Sequence, residues 1–150
     1  MKFTCTVIIN HPKEKVAAFF ANPTYLKEYQ EGFLRKELIS GEQGQVNTIS
    51  KMYYKQGKGE MELTETIEVN NLPDEFMAQY HHKFTDNTMK STFTSLNDTE
   101  TRYDAEINYT AFRGFMVKIM VFIAPSFFKK QVQKWLVNFK AFIEESKTLI

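Results

Sequence analysis

Polar and apolar residues alternate with a period of two over most of this chain, and the period lengthens only near the start and over the last quarter. Phe3, Cys5, Val7 and Ile9 alternate with Lys2, Thr4, Thr6 and Asn10, which predicts a half-buried strand. His11-Pro12 ends it, and Pro12 suits the first turn of a helix, where its missing N–H costs nothing. Val16, Phe19 and Phe20 then fall at helical spacing, and Asn22-Pro23 stops that helix. Thr24 is the expected N-cap of a second short helix with Tyr25, Leu26 and Tyr29, ending near Gly32.

Strands follow. Residues 33–40 form the first of these, with a turn at Gly41-Glu42-Gln43-Gly44. Residues 46–55 are next, turning at Gln56-Gly57-Lys58-Gly59. Over residues 60–70, Met61, Leu63, Ile67 and Val69 share one face, and Asn71-Leu72-Pro73-Asp74 is a turn signal. Phe76, Ala78, Tyr80, His82 and Phe84 share a face of the next strand. Asp86-Asn87 is expected to turn the chain into residues 89–96, and Asn97-Asp98 to turn it again. Tyr103, Ala105, Ile107 and Tyr109 then alternate with Arg102, Asp104, Glu106 and Asn108, a side expected to be solvated.

From Gly114 onward the period is helical. Residues 115–124 are apolar almost all round apart from Lys118, and Pro125 must kink or restart the helix. Beyond it Phe128, Val132, Trp135, Leu136, Phe139, Phe142 and Ile143 keep spacings of three and four up to the end of the chain at Ile150. A helix of that length runs roughly 35 Å, enough to cross a small sheet. A lone long helix with one wide apolar face must lie across the sheet, and a curved sheet then leaves a cavity beneath it.

Composition narrows the function classes. The chain has 150 residues, a length expected for one domain, residues 1–150, with a sizeable core. Its formal net charge of +1 comes from 19 basic and 18 acidic side chains without a long basic block, so no nucleic-acid partner is expected. The single Cys5 excludes an internal disulfide, and its place in an alternating strand makes a buried, inert thiol the expectation. No secretory signal is visible and no apolar stretch reaches the roughly 20 residues that span a bilayer, so a cytoplasmic protein without stable membrane insertion is expected. His81 and His82 are adjacent and point to opposite faces of a strand, and no third ligand follows at metal spacing, so neither a metal nor a cofactor is expected. The turn at Gly41–Gly44 lacks the Lys-Ser/Thr of a phosphate-binding loop.

Consecutive strands joined by tight turns form an antiparallel meander. The order of strand, two short helices, about six strands and one long helix resembles the helix-grip fold of the START-like superfamily, also called the SRPBCC or Bet v 1-like group, over essentially the whole chain. Three stretches carry the likeness: Val7-Ile8-Ile9-Asn10-His11-Pro12-Lys13-Glu14-Lys15-Val16, with its Pro-x-x-x-Val step into the first helix; Asn22-Pro23, where that helix ends; and Trp135 through Glu145, which resembles the closing helix. The resemblance implies an α+β fold: a curved antiparallel sheet of about seven strands wrapped on a long C-terminal helix, with two short helices between strands 1 and 2. The superfamily includes lipid, sterol and hormone carriers, aromatase/cyclases, ubiquinone-binding proteins and activators of a heat-shock ATPase, so it implies a cavity and spreads function over several classes.

Strand alternation nominates the inward side chains: Leu63, Glu65, Ile67, Tyr80, His82, Tyr103, Ile107 and Tyr109 from the sheet. Met116, Met120, Phe128, Val132, Trp135, Leu136 and Phe139 from the helical tail complete the candidate lining of a ligand cavity. Glu65 and His82 stand out, because a polar group on an apolar face needs a partner. Either they anchor a ligand, or they act together as acid and base, or Glu65 bonds a tyrosine hydroxyl, or a bulge turns it to solvent. No nucleophile elbow is present, and no catalytic residue is nominated. Residues 115–124 either pack between neighbours, form a homodimer interface, rim the cavity, or touch a membrane. The leading expectation is a non-enzymatic binder or carrier of a hydrophobic or amphipathic small molecule: a lipid, a quinone or a polyketide-like compound. A cyclase/dehydrase-type enzyme and a protein-interaction module of the co-chaperone kind are the alternatives.

Overall fold

The computed structural model describes residues 1–123 and 126–146. Seven strands form one antiparallel sheet: β1 (Lys2–Ile9), β2 (Phe33–Ser40), β3 (Ile49–Gln56), β4 (Gly59–Asn71), β5 (Glu75–His81), β6 (Thr85–Asn97) and β7 (Glu100–Phe112). Their order is β1-β7-β6-β5-β4-β3-β2, so the six later strands form a meander and β1 adds to its end. Between β1 and β2 lie α1 (Lys13–Ala21), a 3-10 turn (Pro23–Tyr25) and α2 (Leu26–Tyr29); α3 (Phe115–Ile123) and α4 (Ser126–Glu145) follow β7. This is the expected helix-grip arrangement.

The register explains the concave face. Residues paired across antiparallel strands share a face, and the pairs run as rows: Ser50, Glu65, Tyr80 and Asn87; Ile67, Ala78, Met89, Ile107 and Phe3; Phe76, Ser91, Ala105 and Cys5. Against these rows α4 buries Val132, Leu136, Phe139 and Ile143, one stripe at helical spacing. α4 also covers the open edge of β1, which would otherwise present unpaired backbone groups. Gln133 Nε2 donates to Thr6 O at 3.1 Å and Lys140 Nζ to Ile8 O at 2.6 Å, while Glu144 Oε2 accepts from Asn10 N at 2.9 Å. Cys5 is buried, its Sγ donating to Lys129 O at 3.6 Å, and burial pushes its thiol above the ordinary value.

Local details differ from the sequence reading. Asn22, not Thr24, caps the turn before α2: its Oδ1 accepts from Thr24 N at 3.0 Å. Pro12 stands one residue before α1 as its N-cap, φ −63°. Strand β3 begins at Ile49 instead of residue 46, because Thr48 closes the preceding loop, its Oγ1 donating to Glu42 O at 2.6 Å. Gly41 in that loop has φ +88°, and a Cβ there would meet Thr48 Oγ1 at 2.6 Å, so only glycine fits. The expected turn at Asp86-Asn87 lies inside β6. The chain reverses over 82–85 instead, with His82 N donating to Thr85 O at 2.8 Å. The Asp86 carboxylate is engaged by Arg113 and His81 and so does not serve a turn. The expected break at Pro125 and the side chains of Met116 and Met120 lie outside the described residues, as does the chain beyond 146.

Candidate functional site

A cavity of about 100 Å³ lies between the concave face and α4. Phe20, Leu26, Met52, Ile67, Phe76, Met89, Leu136 and Phe139 make most of its wall apolar. Ala21, Pro23, Gln43, Gly44, Asn70 and Leu72 line it where α1 ends and where the 41–48 loop meets the β4–β5 turn. Asn70 Nδ2 donates to Gly44 O at 2.5 Å and so ties these two loops together.

One part of the wall is polar and dry. Glu65 on β4 is 4% exposed. Its Oε2 accepts from the Tyr80 hydroxyl at 2.8 Å, the neighbour that register places beside it on β5. Its Oε1 is ion-paired with Lys36 Nζ at 2.8 Å. Lys36 comes from edge strand β2 and reaches across β3. On α4, Trp135 stacks on Tyr54 with ring centroids 5.9 Å apart and planes 11° apart, and its buried Nε1–H has no partner among the described residues. The Tyr54 hydroxyl donates to Gln30 Oε1 at 2.7 Å. Ser91 Oγ and the Tyr103 hydroxyl are 3.1 Å apart. Burial raises Tyr29, Tyr54, Tyr80 and Tyr103 above the ordinary phenol value; the nearby Glu65 carboxylate adds to this for Tyr29, Tyr54 and Tyr80. Their hydroxyls therefore stay protonated and serve as neutral donors and acceptors.

Solved structures share this architecture. An aromatase/cyclase from Streptomyces sp. R1128 superposes with a TM-score of 0.78 at 9% identity, over 96% of this chain and 93% of that one. Ginseng major latex-like protein 151 from Panax ginseng gives 0.73 at 14%, over 95% and 96%. Norcoclaurine synthase from Thalictrum flavum, solved with dopamine and hydroxybenzaldehyde, gives 0.72 at 12%, over 99% and 88%. This chain has the helix-grip fold of the START-like, Bet v 1-like group. No protein-family model and no curated protein sequence matches it.

Within this helix-grip frame, the nominated residues fall into three groups. Glu65, Ile67, Tyr80, Tyr103, Trp135, Leu136 and Phe139 line the cavity. Ile107 and Val132 are buried in the core, with Leu63 packed against it, and none of the three lines the cavity. Tyr109 and Phe128 meet elsewhere, ring centroids 5.1 Å apart, beside an open groove formed by the end of β7 and α3. His82 does not join Glu65, which corrects the acid–base pairing. β5 ends at His81, and the His82 ring accepts from Phe84 N at 3.1 Å in the turn. Burial, and the cations Lys83 and Arg113 nearby, hold its imidazole below the ordinary value. Glu65 takes the tyrosine hydroxyl that was one of the expected outcomes.

Sequence reasoning missed Lys36, Gln30, Ser91 and the apolar residues from α1, α2 and β3. Lys36 hides because β2 carries a register shift after Phe33. Counted from Phe33, strict alternation turns Lys36 outward, yet Phe33 and Lys36 are the half-buried pair of β2, while Leu34 and Leu38 are exposed.

Proposed function

We propose that this protein binds a compact aromatic or amphipathic small molecule in the cavity between the sheet and α4. The ring lies on the Phe20, Phe76 and Phe139 wall, and a hydrogen-bonding group sits at Glu65 and Trp135. One observation carries this: a buried indole N–H without a partner among the described residues, in the same small cavity as the Glu65–Lys36 ion pair. A buried polar group left unsatisfied costs about 1–3 kcal/mol, and a ligand hydroxyl or carbonyl relieves that cost. Such a group inside an otherwise apolar pocket is how small-molecule sites fix orientation. Size narrows the class. Drug-sized pockets run to about 300–1,000 Å³, and a cavity of about 100 Å³ takes little more than one ring. A quinone with its tail, a polyketide or a long acyl chain requires the 41–48 loop and the β4–β5 turn to part. The likeness to folds that include a norcoclaurine synthase solved with two single-ring compounds supports a ligand of that size.

Trp135 is the chain's single tryptophan, so its fluorescence reports on the cavity directly. Native mass spectrometry of the protein as purified, followed by denaturing extraction, tests for a retained molecule. Titration of the emptied protein with substituted phenols, short quinones and fatty acids then ranks classes. Saturable quenching by single-ring phenols is expected. No retained molecule and no fluorescence response to any probe would overturn the proposal.

A second reading is a cyclase/dehydrase-type enzyme, supported by Lys36, Glu65 and Tyr80 meeting in one cavity. Carboxylate and ammonium groups can move protons on a bound carbonyl compound. Under that reading Glu65→Gln abolishes turnover of an aromatic substrate while leaving its binding within a few fold. A variant that turns over normally removes it.

A further inference from the structure

The helical tail carries a surface that the cavity does not use. After Glu106 the next acidic residue is Glu144, and between them stand Arg113, Lys118, Lys129, Lys130, Lys134 and Lys140. Arg113 is paired with Asp86, Lys134 with Glu31 and Lys140 with Glu144. Lys118, Lys129 and Lys130 are exposed and enter none of the ion pairs among the described residues.

Beside these cations stand large apolar side chains in the open. Phe115 is 78% exposed, Phe122 89% and Phe127 56%. Phe115, Lys118 and Phe122 are spaced i, i+3 and i+7, one stripe of α3. Phe127 packs on Phe128, which packs on Phe112, and Phe112 lines a groove of about 630 Å³ together with Phe122 and Lys118. The three exposed rings therefore belong to one end of the molecule. At roughly 150–250 Å² per ring they expose on the order of 450 Å², as much as the largest apolar patch of a typical soluble monomer.

We infer that this end is a docking surface for an anionic lipid bilayer. Aromatic rings flanked by unpaired lysines are the chemistry that enters a headgroup layer: the rings partition past the phosphates and the ammonium groups stay among them. Docking is peripheral, since among the described residues no helix is long and apolar enough to cross a membrane. A second copy of the chain fits this surface less well. A stable interface buries about 800 Å² per partner, and two copies meeting here bring Lys118, Lys129 and Lys130 against like charges. The inference stands apart from the ligand proposal. It uses no residue with a polar role in the cavity.

The test is sedimentation of the full chain with vesicles of phosphatidylcholine alone and of phosphatidylcholine with a minority of phosphatidylserine, at low and high salt. Binding is expected to the anionic vesicles only, and to weaken as salt rises. Neutralising Lys118, Lys129 and Lys130 together as glutamines is expected to weaken it on the order of 100-fold, about fivefold per charge. Phe122→Ser with Phe115→Ser is expected to weaken it at least tenfold, because each ring loses its burial in the headgroup layer. These positions are exposed, so an unchanged melting temperature identifies folded variants. Equal binding to neutral vesicles, or no binding to anionic ones, would overturn the inference. So would a concentration-dependent dimer that the two serine substitutions dissolve.

Discussion

Replacing Lys36 with methionine tests the polar wall of the cavity most directly. Lys36 is 20% exposed and Glu65 6% at the side chain, with Oε1 and Nζ 2.8 Å apart. Breaking a buried pair from one side leaves an uncompensated charge and costs about 3–5 kcal/mol. Lys36 sits on an edge strand near water, so the low end applies, about 3 kcal/mol. For a chain of 150 residues that lowers the melting temperature by about 6–12 °C. The reverse change, Glu65→Gln, is cheaper. Gln keeps an acceptor oxygen for Tyr80, and the Lys36 ammonium can extend to solvent along its flexible stem, so the cost is about 1 kcal/mol.

The double variant decides the matter. With Lys36→Met and Glu65→Gln together no charge is left in the interior, and the expected total is also about 1 kcal/mol, so the two changes couple by about 3 kcal/mol. Equilibrium denaturation in urea for the four proteins, with a constant slope across the set, measures this. Additivity within about 0.5 kcal/mol would refute the reasoning, because it would mean that the carboxylate and the ammonium do not share a dry site. A Glu65→Gln cost exceeding that of Lys36→Met would refute the assignment of Glu65 as the buried partner.

Trp135→Phe keeps the ring on Tyr54 but removes the unpartnered N–H; the melting temperature should hold or rise slightly while phenol affinity, measured by calorimetry, falls about tenfold. Asp86 is held down to about 2 from 3.8, chiefly by the Arg113 guanidinium and then by His81. Its stabilising share is therefore full above the unfolded value and disappears as pH falls through about 2, so the stability gap between wild type and Asp86→Asn should close over that window and remain constant at neutral pH. Tyr29, Tyr54, Tyr80 and Tyr103 lie above the unfolded value of 10.0, so what their burial contributes is complete below that pH and is lost as pH rises beyond it. Their ionisation, followed by tyrosinate absorbance, should coincide with loss of far-ultraviolet dichroism. Full titration of all seven tyrosines in the folded chain would contradict this.

The meander was legible because inward and outward residues alternate through the middle of β4, β5 and β7, away from the bulges after Ile67 and Tyr109: Glu65, Ile67, Tyr80 and Tyr103 all reach the concave face. The long closing helix was legible from the stripe Val132, Leu136, Phe139 and Ile143. The site was only partly legible, for two physical reasons. A bulge reverses which residues face inward, and the one after Phe33 sets Lys36 on the face of Phe33, where strict alternation from Phe33 would turn it outward. Turn residues, in turn, lose their local preference when a distant side chain engages them. Asp86 reads as a turn former, yet Arg113, 27 residues later, holds it in β6, and that shifts the hairpin to 82–85 and takes His82 out of the strand. Neither effect is local in sequence.

The direction of the strands separates the two surfaces of this molecule. β4 ends and β5 begins at the turn by Asn70 and Leu72, so one end of the sheet carries the loop-lined part of the cavity wall. β5 ends at His81, β6 begins at Thr85 and β7 ends at Phe112, so Phe115, Phe122 and Phe127 project from the opposite end. A molecule entering past the 41–48 loop does not pass the aromatic end. Docking on a bilayer would then leave those loops facing away from the lipid, which fits a ligand taken from the aqueous side better than one extracted from the membrane. Phe115→Ser with Phe122→Ser should accordingly weaken vesicle binding at least tenfold and leave the Trp135 fluorescence response to phenols unchanged. Joint loss of both, in a protein that melts at the wild-type temperature, would show that the two ends are coupled and would return membrane lipid to the list of cavity ligands.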